Sequence, residues 1–417
     1  MENKNAAKSS WAVAFTVASV WFGTHVGGGF ATGNQVIQYF VQYGWTAAIY
    51  PLIAMGILAY IMYVVMKFAR LNGFDNYKDT WRALYPKPWM EIFFEIFYIV
   101  ILLAAVAAAV AGAGAVLQSY IGLPLTICNL FIVALLIVLS IFGVKLVVAA
   151  STVLSTCILI VTAILVITGL TVNIDGVVTA LQSANEGLVV QTFDEVVNHN
   201  PLKAAWMGIL VYAAFQCVSI PAMIAASPEL SIKGVKRSAI LGWLMNGVAL
   251  AASAYMLCRW YPVLCGLKEF GTAKVAELTA ANMDVPVAIK NMANALGIPN
   301  QTVITSMGSA FSWLLVVYNI LLFCAFVSTS VTLIFSMIQR FQGVCFPKTI
   351  KSEKVRSIIV GALAIGICFA LSTLGLSGII KYAYGYDGYY AIVVIIIPVL
   401  IWGIPKTRKL AAEKKAE

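Results

Sequence analysis

The chain has 417 residues, of which 61% are hydrophobic and 11% charged, with a mean hydropathy of +0.92. A soluble domain needs about a quarter charged residues to cover its surface, so the composition excludes a soluble enzyme or binding module and makes lipid the solvent. The net charge of +10 does not point to nucleic acid, because the basic residues are scattered through short loops between apolar runs.

A membrane-crossing helix needs about 20 apolar residues. Runs of this kind recur at 10–43, 46–69, 89–119, 124–142, 145–171, 202–226, 237–260, 303–340, 355–374 and 384–404. The expectation is an all-α integral membrane protein of about ten spans. The first run continues past any small-residue cleavage site and reads as a retained helix, not a signal peptide.

In the middle of that run lies Gly23-Thr24-His25-Val26-Gly27-Gly28-Gly29-Phe30-Ala31-Thr32-Gly33-Asn34. Three consecutive glycines destabilise a helix and favour other backbone angles. In lipid, an opened backbone is tolerated only where protein or a polar cavity satisfies its amides. A break here gives two half-helix ends, N–H groups suited to a carboxylate and carbonyls suited to a cation or ammonium. Close helix packing through glycines is the plainer alternative, but the polar Thr24, His25, Thr32 and Asn34 around the triplet favour a binding site.

Further along, Glu91 and Glu95 stand one turn apart at the start of the third span, either interfacial or part of an inner gate. Two long connections follow, 172–201 and 261–302. The second contains Ala276–Ala281 and Val285–Leu296, which read as short helices forming a surface loop or a lid. The sixth span carries Tyr212-Ala213-Ala214-Phe215-Gln216-Cys217-Val218-Ser219-Ile220-Pro221. Pro221 has no N–H, so the Cys217 carbonyl loses its helical donor beside Gln216 and Ser219. The eighth span holds Ala325-Phe326-Val327-Ser328-Thr329-Ser330, whose hydroxyls either bond back to their own helix or supply oxygen ligands to a small cation. Asp387 lies in the run Tyr382–Tyr390 that is expected to open the tenth span, as an outer-gate residue or within an aromatic belt.

With the N-terminus inside, six of the 27 Lys and Arg residues (Lys203, Arg259, Lys268, Lys274, Lys290, Lys381) fall outside and 21 fall inside. That bias places both termini in the cytoplasm. Five spans followed by five invert the second set relative to the first, an arrangement many secondary transporters share. The expected organisation is a first five-helix repeat over 1–172, an external loop over 173–201, a second repeat over 202–404 and a basic cytoplasmic tail over 405–417. The interruptions in spans one and six then fall at matching positions.

These segments resemble the amino acid–polyamine–organocation superfamily, whose members share the leucine-transporter (LeuT-type) fold. Gly23–Phe30 is similar to its glycine-rich first-helix break, and Tyr212–Gln216 to its sixth-helix break, with Ala214 and Gln216 where a glycine and an acid are common. Gly143-Val144-Lys145 also resembles family sequence. More narrowly, the chain looks like the YkvI-type bacterial membrane proteins.

The resemblance implies a Na⁺-coupled symporter of a small, zwitterionic, amino-acid-like solute in the bacterial cytoplasmic membrane. Its implied substrate residues are Thr24, His25, Gly27, Gly28, Gly29, Tyr212, Phe215, Gln216 and Ser219. Its implied Na⁺ ligands are the carbonyls of Gly23, Val26 and Ala325 with the hydroxyls of Ser328 and Thr329. Some proton-coupled relatives place a lysine from the fifth helix there; the matching Ser155-Thr156-Cys157-Ile158-Leu159 has none. Proton coupling through His25 and a non-transporting receptor of the same fold remain the alternatives. With only His25 and His199 as histidines and no nucleophile–base arrangement, an enzyme is not expected.

Overall fold

In the computed structural model, residues 10–25, 27–142, 144–184, 201–260, 264, 298–341 and 352–416 are described. All regular structure among them is helical. Seven helices among these residues are long and apolar enough to cross a membrane. The interrupted first segment and two further apolar helices bring the helical segments to the ten sites that hydropathy marks. The chain is a multi-pass, all-α integral membrane protein.

We label these α1a (Trp11–His25), α1b (Gly28–Ala31), α1c (Asn34–Tyr39), α2 (Tyr50–Asn72), α3 (Glu91–Ile121), α4 (Leu125–Phe142), α5 (Val144–Thr171), α6a (Pro201–Phe215), α6b (Ile220–Ala226), α7 (Ile232–Arg259), α8 (Ser312–Phe341), α9 (Glu353–Ser372) and α10 (Gly375–Lys414). Helix ends follow local chemistry. Gly73 and Gly122 close α2 and α3 at φ 75° and 74°, where a left-handed residue satisfies the last carbonyls at no steric cost. The short amphipathic helix Tyr77–Leu84 joins α2 to α3 and starts on Asn76, whose side chain accepts from the Asp79 N–H.

The neighbour relations survive exchange of helices 1–5 with 6–10. α1a packs on α7 as α6a packs on α2, α5 on α8 as α10 on α3, and α3 on α9 as α8 on α4; α2–α7 and α3–α8 pair across the exchange. Side chains pin these contacts. Trp243 Nε1 donates to Leu52 O at 2.9 Å, and Asn129 Nδ2 donates to Ser372 Oγ at 3.2 Å. At the far end of α7, Arg259 donates to the carbonyls of Leu170 and Val172, and Trp260 Nε1 to Gly169 O at 2.8 Å. These satisfy the terminal acceptors of α5.

Four boundaries differ from expectation. The eighth span is not one long helix from 303: Pro299–Ser306 is separate, and Gly308 at φ 98° turns the chain into α8. The tenth begins at Gly375, so Asp387 lies well inside α10 instead of opening it. α10 also continues through the expected tail to Lys414, and Lys406 Nζ donates to the carbonyls of Ala83 and Tyr85 at 2.8 and 3.0 Å. Finally, the sixth span is interrupted as expected, but by one tight turn, Gln216–Ser219, in which the Ile220 N–H bonds the Cys217 carbonyl that Pro221 was expected to leave free. Pro221 near the start of α6b lets the helix resume at once. The proposed lid segments Ala276–Ala281 and Val285–Leu296 lie outside the described residues, as does Gly143.

Candidate functional site

The backbone of the first helix opens where its glycines begin. The Gly27 N–H bonds the His25 carbonyl at 2.8 Å, and Gly27 is extended (φ −83°, ψ −178°) before α1b starts. Val26, between them, lies outside the described residues. A second interruption follows at Gly33, with φ 81°. It frees the carbonyls of Ala31 and Thr32, and both find donors from the other repeat. Asn300 Nδ2 and the Tyr318 hydroxyl reach Ala31 O at 2.9 and 2.6 Å, and the Asn300 N–H reaches Thr32 O at 3.0 Å.

The glycine triplet divides by role. A β-carbon at Gly28 would collide with the Phe326 ring, as would one at Gly112 of α3, so this ring wedges α8 between the two glycines. A β-carbon at Gly29 would strike the Gln35 side chain. Packing therefore accounts for Gly28 and Gly29 without any ligand. Gly23 and Gly27 meet nothing within 4 Å; they face open space.

That space is a cavity of about 390 Å³ at the interruptions of helices 1 and 6. It is lined by Gly23, Thr24, His25, Gly27, Gly28, Gly29 and Gln35 from helix 1, and by Phe215 and Gln216 from helix 6. Ser328, Thr329 and Thr332 of α8 and Tyr384 of α10 join them, and Ile101, Leu102, Ala105, Ala108 and Ala109 of α3 supply an apolar wall. Among the described residues no Asp, Glu, Lys or Arg lines it. Such a wall, apolar with a few polar groups, suits a small net-neutral solute.

His25 is buried, its Nε2 2.8 Å from the Tyr212 hydroxyl, and Gln216 Nε2 donates to that hydroxyl at 3.5 Å. Tyr212 sits behind the wall in a cluster with Tyr39, Phe40 and Phe215. Asn246 of α7 is the ring's other polar neighbour. Neither His25 Nδ1 nor Asn246 Oδ1 has a well-formed hydrogen bond.

Seven of the nine implied substrate residues therefore share one cavity. The exceptions are Tyr212, one layer back, and Ser219, buried outside the wall with an unpartnered Oγ. Ala325 is also behind the wall, but its carbonyl accepts from Ser328 Oγ at 3.1 Å. Gly23, Ser328 and Thr329 all line this cavity.

Several contributors, Thr332 among them, escaped the sequence reading. Gln35 and Asn246 are amides deep in membrane segments, a signal masked by the glycines in one case and by an unremarkable helix in the other. The alanines of α3 carry no chemistry of their own; only their density, from Ala104 to Ala115, marks a close-packed face.

No family model matches the chain. It is similar to the uncharacterized membrane protein YkvI of Bacillus subtilis (strain 168), with 23% identity over 240 residues, or 58% of this chain and 65% of that protein. The match thus spans less than two thirds of the relative's length. It relates one membrane protein to another and names no activity.

Proposed function

We propose that this protein is a secondary transporter that moves a small, net-neutral, amino-acid-like solute through the central cavity by alternating access, coupled to Na⁺. The observation that carries the reading is the uncharged cavity at the facing interruptions of helices 1 and 6. A charged wall would demand a counter-charged ligand, whereas free peptide ends satisfy a zwitterion with partial charges alone.

Gly27 has its N–H engaged with His25, so a substrate carboxylate would take the N–H groups of Gly28 and Gly29, which open α1b and have no acceptor within the helix. The ammonium would face the last carbonyls of α1a, and Gln216 would orient it. The Ile101–Ala109 face of α3 would take an apolar side chain. Na⁺ would sit between helices 1 and 8, on the carbonyls of Gly23, Val26 and Ala325 and the hydroxyls of Ser328 and Thr329. Binding there neutralises the carbonyl end of α1a and fixes it against α8. Helices 1, 2, 6 and 7 pack on one another, as do 3, 4, 5, 8 and 9; two such units rocking about the cavity would expose it to each side in turn.

Thermal stability of the purified full chain, with each common amino acid in Na⁺ and in choline, tests this. Ligand at a hundred times Kd stabilises the folded state by about 2.7 kcal/mol. A melting shift that requires both amino acid and Na⁺ is expected. Absence of a shift with every amino acid would remove the amino-acid assignment.

A further inference from the structure

The transport reading leaves one buried acid unused. Asp387 is 4% exposed, and its Oδ2 has no hydrogen-bond partner. It lies on the inward face of α10, whose outward face presents Tyr382, Tyr386 and Tyr389 to the surroundings. The titratable groups that its charge reaches are Tyr384, one turn before it, and Tyr390, one turn after. Tyr384 lines the central cavity and packs edge-on to Phe215 at 5.2 Å. Tyr390 donates to Phe93 O at 3.2 Å.

From α6a, Val211 meets this stretch of α10: a β-carbon at Gly388 would come within 2.8 Å of the Val211 carbonyl oxygen. The next residue, Tyr212, has its hydroxyl on His25. From α3, Glu91 pairs with Arg82 and Lys78, and Glu95 with Arg340. Among the described residues no cation acts on Asp387. The backbone around it is irregular on both sides, with π turns at Ile380–Tyr384 and Ile392–Ile396. Their loosened carbonyls are held by tyrosines of the first repeat, Tyr39 to Ile380 O at 2.9 Å and Tyr85 to Val394 O at 2.5 Å. Interruptions of this kind inside helices are frequent at functional sites.

An ionised carboxyl without a cation or hydrogen-bond donors is costly to bury, and acids inside membrane segments mark ion pathways. Two occupants would neutralise it. A metal cation needs several further ligands, and among the described residues no group of three or more His, Cys, Asp or Glu side chains is there to supply them. A proton needs only one oxygen. We propose that Asp387 is a proton-binding site in the membrane part of α10, loaded in this conformation, whose emptying unseats α10 from α6a at the edge of the central cavity. The inference goes beyond the transport reading and does not depend on the identity of the solute. The step is a simple protonation: the proton adds to one carboxylate oxygen and leaves to water in the cavity when the α6a–α10 contact opens.

A proton bound only in the folded chain stabilises it less as pH rises.

The test is infrared titration of the full-length protein in lipid nanodiscs, with melting curves at each pH. Wild type is expected to show a protonated-carboxyl C=O band at neutral pH that Asp387→Asn lacks and Asp387→Glu retains. The wild-type melting temperature should fall with alkalinity more than that of Asp387→Asn, whose side chain never ionises. Identical carboxyl bands in wild type and Asp387→Asn would overturn the proposal. A band present in choline but lost in Na⁺ would overturn it too, by making the occupant a metal cation. If Asp387→Asn does not fold, absence of the band from both wild type and Asp387→Glu is the refuting result.

Discussion

Phe326 makes two helices depend on glycine, and the dependence is open to a swap. Gly28→Ala puts a methyl group into the ring and should destabilise the protein by about 1–3 kcal/mol, the usual cost of overpacking. Adding Phe326→Leu makes room for that methyl and should recover most of the melting temperature, whereas Phe326→Leu alone leaves a gap and lowers it. If both single variants melt like wild type, the wedge is wrong. At the cation face the readout differs. Ser328→Ala with Thr329→Ala removes two hydroxyls from residues that line the cavity with Gly23 and should abolish the Na⁺-dependent part of ligand-induced stabilisation; an undiminished Na⁺ effect would exclude these hydroxyls as ligands. The glycine cluster, His25 and the Ser-Thr pair were legible in sequence because polar and breaking residues are conspicuous against 61% apolar composition. The division of the glycines between packing and cavity was not, since it depends on Phe326 and Gln35, side chains that only the folded chain brings there.

Helix interruptions are stable only where something receives the freed carbonyls, and the two breaks in helix 1 differ in what receives them. The one at Gly33 is held by Asn300 and Tyr318, both on Ala31 O. Either donor alone still satisfies that oxygen, so Asn300→Ala and Tyr318→Phe should each be mild. Together they leave a buried acceptor bare, at about 1–3 kcal/mol. The double variant should therefore lose more melting temperature than the two singles combined, a coupling that additive losses would refute. This second break was invisible in sequence, because Gly33 read as the flank of a single glycine cluster. The break in helix 6 shows the converse. Pro221 announced it correctly, but the absence of glycine there left Gln216–Ser219 only a tight turn. Boundaries in the second repeat failed for a related reason: Gly308 and Gly375, both at positive φ, end and begin helices inside continuous apolar runs, where hydropathy alone has no contrast.

At the scale of the molecule, the interruptions of helices 1 and 6 border one cavity. Such a cavity also serves a receptor that binds without moving its ligand. Energy coupling separates the two readings. Carrying one net positive charge inward with a neutral solute through 100 mV yields about 2.3 kcal/mol. At 1.4 kcal/mol per decade, that sustains an accumulation of about 40-fold. In proteoliposomes held at that potential with equal Na⁺ on both sides, the amino acid that shifts the melting curve should therefore accumulate about 40-fold, and collapse of the potential should release it. A ligand that binds and stabilises but only equilibrates across the membrane would mark a receptor or a passive carrier. Accumulation driven by a pH gradient without Na⁺ would move the coupling from the Ser328–Thr329 face to a proton, and the Asp387→Asn variant, tested in the same vesicles, would then show whether that proton is the one α10 carries.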